Sequence, residues 1–305
     1  MGVWGEPQNQ CNDAAGVVEA VGKDVTEFRK GDRVAAYLDN YGGGYAEYAL
    51  AAAHTTFILP AHTTFQEGAA IGLAALTAVV GLYANDRLNL PQPSAPATEP
   101  VPLVIYGGSS AVGSYAIQLA KRSNLHPIIA IAGKASDFVK GMLDQSKGDV
   151  VIDYRKGDDA VKLGIRDALK GHTLQHAFDA TAGQNSWQNI SDVLDHQTGK
   201  ITLVLPPMED MKILEGRHEG IPESVHASLT VVGDVHGSMR DLGFLYSKYF
   251  ALGLQEGWFA AHPQEVVSNG LEGIETGLKA LKNGRASAVK YVYNIADTPG
   301  IGSSG

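Results

Sequence analysis

Cysteine is almost missing: Cys11 is the only one in 305 residues. No internal disulfide can form, so a reducing cytosol is the expected setting. A structural zinc site of several thiolates is excluded, and nothing around Cys11 supplies the partners of a Cys/His/Glu zinc site. Basic charge is also in short supply, with 24 Lys and Arg against 33 Asp and Glu and no Lys/Arg-rich run. The formal net charge of −9 favours solubility and argues against nucleic acid as a partner. No stretch reaches the roughly 18 consecutive apolar residues of a membrane span. The longest candidate, residues 68–83, is rich in small residues and reads as a buried helix. The opening residues lack the basic-then-apolar order of a secretory signal. Two catalytic signatures are missing as well: a Tyr-x-x-x-Lys pair, and the G-x-S-x-G nucleophile elbow.

Glycine, by contrast, is plentiful at 36 residues, which suits tight turns and close backbone approach. Residues 16–22 place valines on a strand between glycines. Residues 28–37 put a polar turn ahead of a second strand, and residues 41–50 form a glycine turn feeding a third. Three short β elements in a row predict an all-β unit. The texture changes at Phe65, where a helix is expected to run to Tyr83, with Thr64 as its N-cap and Glu67 in the capping-box position. Residues 91–100 hold four prolines and read as a loop.

Beyond that loop, strand-like runs alternate with helical stretches: residues 102–106, 127–132, 149–153, 175–180, 200–205 and 228–233. Four of them are near-continuous apolar runs, the pattern of strands buried on both faces of a parallel sheet. Six strands with intervening helices predict a doubly wound α/β sheet. The tail, residues 258–295, carries one helix (272–283) and one strand (288–295) and does not extend the alternation.

Residues 104–114 read Val-Ile-Tyr-Gly-Gly-Ser-Ser-Ala-Val-Gly-Ser, between the first of these strands and a helix expected to run to Lys121. Gly107 permits a sharp turn, and Gly113 lets helix and strand pack closely. Free N–H groups at the helix start then face a diphosphate, with the helix dipole adding to the attraction. The middle glycine of G-x-G-x-x-G is absent; Ser109 and Ser110 stand there, with hydroxyls able to donate to phosphate oxygens. A glycine pattern by itself is weak, but this one has its strand before and its helix after. The competing reading is a purely structural turn.

The second strand bears on which dinucleotide. Asp or Glu at its end accepts from the ribose 2′-OH of NAD, whereas a basic residue suits the 2′-phosphate of NADP. Here the strand ends Gly133-Lys134-Ala135-Ser136, with no carboxylate before Asp137. NADPH is therefore expected; a solvated loop lysine is the alternative for Lys134.

Residues 16–22, the Lys30-Gly31-Asp32-Arg33-Val34 turn and Gly44-Tyr45-Ala46-Glu47-Tyr48 resemble the GroES-like domain of medium-chain dehydrogenases/reductases. Residues 107–113 resemble the G-x-x-x-x-V-G loop of their zinc-free quinone oxidoreductase and enoyl reductase branch, including the fungal trans-acting enoyl reductases that partner polyketide synthases. The likeness runs from Asp13 onward. It implies a Rossmann domain over residues 73–255 and a GroES-like β domain split between residues 1–72 and 256–305, with the ligand in the cleft between them. It implies further that Ser109, Ser110, Ala111 and Val112 hold the pyrophosphate, that Gly133, Lys134 and Ala135 hold the 2′-phosphate, and that Tyr154 lies on the adenosine side. Thr77 falls near the nicotinamide ribose, Val204 and Leu205 line the nicotinamide, and Ala286 and Ser287 lie where the returning strand passes the cofactor. No catalytic acid is identified. Family members carry a further stretch before the strand at Gly16, which residues 1–10 do not resemble. A GroES-like domain shortened at its N-terminus is thus expected, with complete cofactor motifs and fewer substrate contacts.

The expected activity is zinc-independent hydride transfer from NADPH to an activated C=C or a quinone. The expected partners are a small-molecule substrate and a polyketide synthase or other biosynthetic enzyme. The alternative is a non-catalytic NADPH-binding accessory or sensor module. Gly233-Asp234-Val235-His236-Gly237 copies the G-D-x-H-G motif of two-metal phosphoesterases, but the other ligand motifs of that chemistry are missing, so it reads as the end of the sixth strand. His54 and His62 read as surface or packing residues. Tyr41, Tyr45 and Tyr48 read as strand aromatics or as residues lining the cleft.

Overall fold

A computed structural model describes residues 10–39, 43–183, 185–204 and 220–301. The chain divides into two compact units: Met1–Leu76 with Gly233–Gly305, and Thr77–Val232.

The first unit opens with an antiparallel sheet of β1 (Asp13–Val17), β2 (Arg33–Tyr37) and β3 (Thr56–Ile58), in that order, with Gly16 opposite Val34. The Lys30–Gly31 turn before β2 works because Gly31 takes φ +95° and the Asp32 carboxylate accepts from the Arg29 amide at 2.9 Å. β1 thus begins and ends earlier than the valine run suggested. The strand expected within residues 41–50 is absent from the described residues 43–50, where Tyr48 and Leu50 are 75% and 80% exposed. Its place is taken by β3, in the threonine-rich stretch between His54 and His62. Thr55 and Thr56 can be buried there because their hydroxyls donate to the carbonyls of Tyr37 and Ala52, both at 2.8 Å.

The helix expected from Phe65 forms as two pieces, α1 (Phe65–Gly68) and α2 (Gly72–Tyr83). The capping box is present: the Thr64 hydroxyl accepts from the Glu67 amide, and the Glu67 carboxylate accepts from the Thr64 amide. The stretch Phe65–Tyr83 is long and apolar enough to cross a membrane, yet most of it is buried inside the fold, including Ile71, Leu76, Val79, Val80 and Leu82.

The second unit is built on six parallel strands: β4 (Leu103–Tyr106), β5 (Ile128–Ala132), β6 (Val150–Asp153), β7 (His176–Asp179), β8 (Lys200–Val204) and β9 (His226–Thr230). Between them run α3 (Ala111–Arg122), α4 (Ser136–Met142), α5 (Asp158–Leu169) and α6 (Ser186–Ser191). β4 and β5 are buried at every position, as strands covered on both faces must be. The strand order β6-β5-β4-β7-β8-β9 reverses direction between β4 and β7, the place where open α/β sheets bind ligands at the carboxyl ends of their strands. The sixth strand lies two residues earlier than expected, and Val232–His236 is a 3-10 turn rather than its end.

The chain then returns to the first unit with α7 (Arg240–Glu256), β10 (Gln264–Val267), α8 (Ile274–Lys282) and β11 (Lys290–Tyr293). β10 and β11 pair in parallel. The sequence reading did not anticipate β10, whose two central residues are exposed. α7 lies on β3, with Phe57, Phe250 and Phe259 buried together and the last two rings stacked at 4.9 Å. Asp13 ties the two sequence segments: its carboxylate accepts from the Leu73 amide at 2.6 Å and pairs with the Lys290 ammonium.

Candidate cofactor-binding site

The turn after β4 is held rigidly. The amides of Gly107 and Gly108 both donate to the Ile131 carbonyl, at 3.0 and 2.9 Å, and the Ser110 amide donates back to the Gly107 carbonyl at 2.9 Å. Gly107 takes φ +78°, and a Cβ there would lie 2.3 Å from the Thr181 hydroxyl oxygen. A Cβ on Gly113 would lie 2.2 Å from the Gly107 carbonyl oxygen, so α3 is seated directly on the turn. Ser110 is the N-cap of α3, its hydroxyl oxygen accepting from the Gly113 amide at 3.0 Å while its own proton remains available. This arrangement leaves the amides of Ser109, Ala111 and Val112 without a hydrogen-bond partner among the described residues. All three residues are half-buried rather than sealed. Three unspent N–H groups at a helix start form an anion seat, and a diphosphate fits it.

One face of that seat was not legible in the sequence. The loop after β7 is pulled against the turn, with the Ala180 amide donating to the Tyr106 carbonyl at 3.0 Å. Asp179, fully buried, shapes the loop: its carboxylate accepts from the amides of Thr181 and Ala182 and from the Ser186 hydroxyl, at 3.0, 2.9 and 2.5 Å. Thr181 is exposed and sets its hydroxyl over Gly107. The signal that could have found it is strand order alone: in a doubly wound sheet the fourth strand lies beside the first, so the residues just after it face the first turn.

At the carboxyl ends of β5 and β6, Ala132 and Asp153 are register partners. Gly133–Ser136 closes as a tight turn, the Ser136 hydroxyl donating to the Gly133 carbonyl at 2.6 Å, and leaves Lys134 exposed at its tip. Lys134 has no ion pair or hydrogen bond among the described residues. The Tyr154 ring lies on Gly133, where a Cβ would meet ring carbons at 2.6 and 2.9 Å. Ala135 precedes α4 as its N-cap residue.

The remaining expected site residues are scattered. Thr77 is buried in α2. Val204 is the last residue of β8, in register with Thr230, and Leu205 lies outside the described residues. Ala286 and Ser287 belong to the first unit, in the segment between α8 and β11. No group of three His, Cys, Asp or Glu side chains able to hold a metal ion occurs among the described residues.

The trans-enoyl reductase fsr4 of Gibberella fujikuroi is 50% identical to this chain over 270 residues, covering 87% of the chain and 77% of the relative. The chain belongs to the medium-chain dehydrogenase/reductase superfamily. Within it, this sequence stands with the trans-enoyl reductases, and it is an oxidoreductase of that superfamily. The model of the alcohol dehydrogenase GroES-like domain matches residues 2–61. That match takes in most of residues 1–10, so the likeness reaches further forward than the expected start at Asp13. Among solved structures, an alcohol dehydrogenase superfamily protein from Novosphingobium aromaticivorans superposes with a TM-score of 0.72 at 21% identity, covering 91% of this chain and 78% of its own. The Escherichia coli quinone oxidoreductase complexed with NADPH superposes at 0.69 with 19% identity, covering 92% and 81%. At those identities the two likenesses establish the medium-chain fold.

Proposed function

We propose that this medium-chain reductase transfers hydride from NADPH to the activated C=C of an enoyl substrate or to a quinone, without zinc. The observation that carries the reading is the set of three unspent amides, at Ser109, Ala111 and Val112, over a turn whose glycines leave no room for side chains. The bound dinucleotide supplies the hydride; the protein supplies binding, orientation and electrostatics. The amides and the Ser110 hydroxyl hold the diphosphate, and Thr181 covers it from the β7 loop. Lys134 and the Tyr154 ring take the 2′-phosphate and adenosine end. The names of the trans-enoyl reductase relatives support an enoyl group as the acceptor, with a polyketide synthase or other biosynthetic enzyme as the partner that presents it. The single cysteine and the lack of a metal-ligand group among the described residues support a zinc-free reaction.

The test is an NADPH fluorescence titration beside NADPH oxidation with a crotonyl thioester and with a quinone. Saturable binding with turnover of either acceptor is expected. Binding without turnover would replace the enzyme by an NADPH-binding accessory module, and no binding at all would refute the site.

A further inference from the structure

The β5–β6 edge holds a cation that the sequence reading passed over. Because Ala132 and Asp153 are register partners, Gly133–Lys134 and Tyr154–Arg155 leave the sheet side by side. Arg155 is not loose. Its Nε donates to the two oxygens of Asp153 at 2.8 and 3.1 Å, its Nη2 donates to Oδ2 at 2.5 Å, and its amide donates to Oδ1 at 3.0 Å. Two consequences follow. The Asp153 carboxylate, the one acidic group ending either strand, is spent on Arg155 and is poorly placed to accept from a ribose hydroxyl. The guanidinium, fixed in place but 54% exposed, keeps three of its five N–H groups free of Asp153.

We infer that Arg155 is a second cation for the 2′-phosphate beside Lys134, and that Asp153 is its positioning residue, holding the fork and the Tyr154 turn in place. The inference rests on the NADPH reading above and deepens it. A planar fork that is already oriented suits a phosphate better than a mobile ammonium does, because less freedom is lost when its hydrogen bonds form. The arrangement is also compatible with a phosphate despite the carboxylate close by, because Asp153 engages two of the five guanidinium N–H groups. Asp153 neutralises only one side of the fork, and its charge is turned into a hinge pin for Arg155.

The experiment measures dissociation constants of NADPH, NADH, adenosine 2′,5′-bisphosphate and 5′-AMP for the full chain and for Lys134→Gln, Arg155→Gln, Arg155→Lys and Asp153→Asn. The last two ligands isolate this edge from the nicotinamide half. Arg155→Gln is expected to weaken NADPH and the bisphosphate about tenfold while moving NADH and 5′-AMP less than about twofold. Arg155→Lys should fall between, keeping the charge without the fork. Asp153→Asn should lose about threefold for the 2′-phosphorylated ligands alone, a selectivity that a merely structural role would not produce. If the wild-type chain shows no preference for NADPH over NADH, the NADPH reading fails and this inference with it. If the wild type prefers NADPH, Lys134→Gln reduces the preference and Arg155→Gln does not, then Arg155 is a surface ion pair and only this inference is overturned.

Discussion

The two ends of the dinucleotide seat are made of different materials. On the proposed reading, the turn at residues 107–113 would bind with backbone: its amides are oriented by Gly107, Gly113 and the Ser110 cap. On the same reading, the β5–β6 edge would bind with side chains, Lys134, Tyr154 and Arg155, at the ends of two paired strands. A backbone seat recognises the diphosphate common to all these cofactors, and a side-chain seat tells one cofactor from another. Affinity and selectivity should therefore be separable by mutation.

The largest effect should come from Gly113→Val. Its Cβ would collide with the Gly107 carbonyl, so NADPH and NADH should both be lost and the melting temperature should fall, with a destabilisation of about 3 kcal/mol or more. Retained binding of either cofactor would break the comparison. Next comes Lys134→Asp, which removes the free cation and adds a repulsive charge. It should shift the NADPH/NADH affinity ratio by about a hundredfold with little change for NADH, and equal losses for both cofactors would show that the edge does not select.

Acidification offers a third contrast. A phosphate monoester has a second pKa of about 6, so the preference for the 2′-phosphorylated cofactor should shrink as pH falls from 7.5 to 5.5 while affinity for the NAD form holds. Calorimetry with NADP+ and NAD+ across that range reads both. Stability limits the window. Burial, with Lys200 nearby, pushes His176 down to about 4, and burial, with Lys290 nearby, does the same to His262. Both groups bind protons more readily in the unfolded chain, whose His pKa is about 6.5. Their contribution is therefore present above about 6.5 and is lost as pH falls towards 4, in both units. A melting temperature unchanged between pH 7 and pH 5 would contradict it. The smallest effect should be that of Ser110→Ala: loss of one cap, about 1 kcal/mol of stability, and an equal, modest weakening of both cofactors.

What the sequence disclosed follows the same division. β5, written Ile-Ile-Ala-Ile-Ala, is apolar at every position because it is buried on both faces, so the doubly wound parallel sheet and the glycine turn after β4 were readable, while the strand order was not. β3 and β10 are three and four residues long and partly exposed, and such strands exist through pairing with partners distant in sequence, which no local pattern records. Thr181 escaped for a related reason: its contact with Gly107 arises from the register of β4 with β7, not from any motif around it. Arg155 belongs to no motif, and its bonds to Asp153 show only in the folded strand end. The expectation of NADPH at Lys134 rests on the lack of a carboxylate before Asp137.

The division of the chain also orders its synthesis. Thr77–Val232 is one uninterrupted segment and can complete its sheet as soon as β9 has left the ribosome. The other unit cannot. β1 can pair with β2 and Asp13 with the Leu73 amide as soon as those residues are made, but Lys290 follows Asp13 by 277 residues, so that ion pair is the last tie to form. A chain stalled after α7 would carry a completed six-stranded sheet and a first unit still lacking β10, β11 and the Asp13–Lys290 pair.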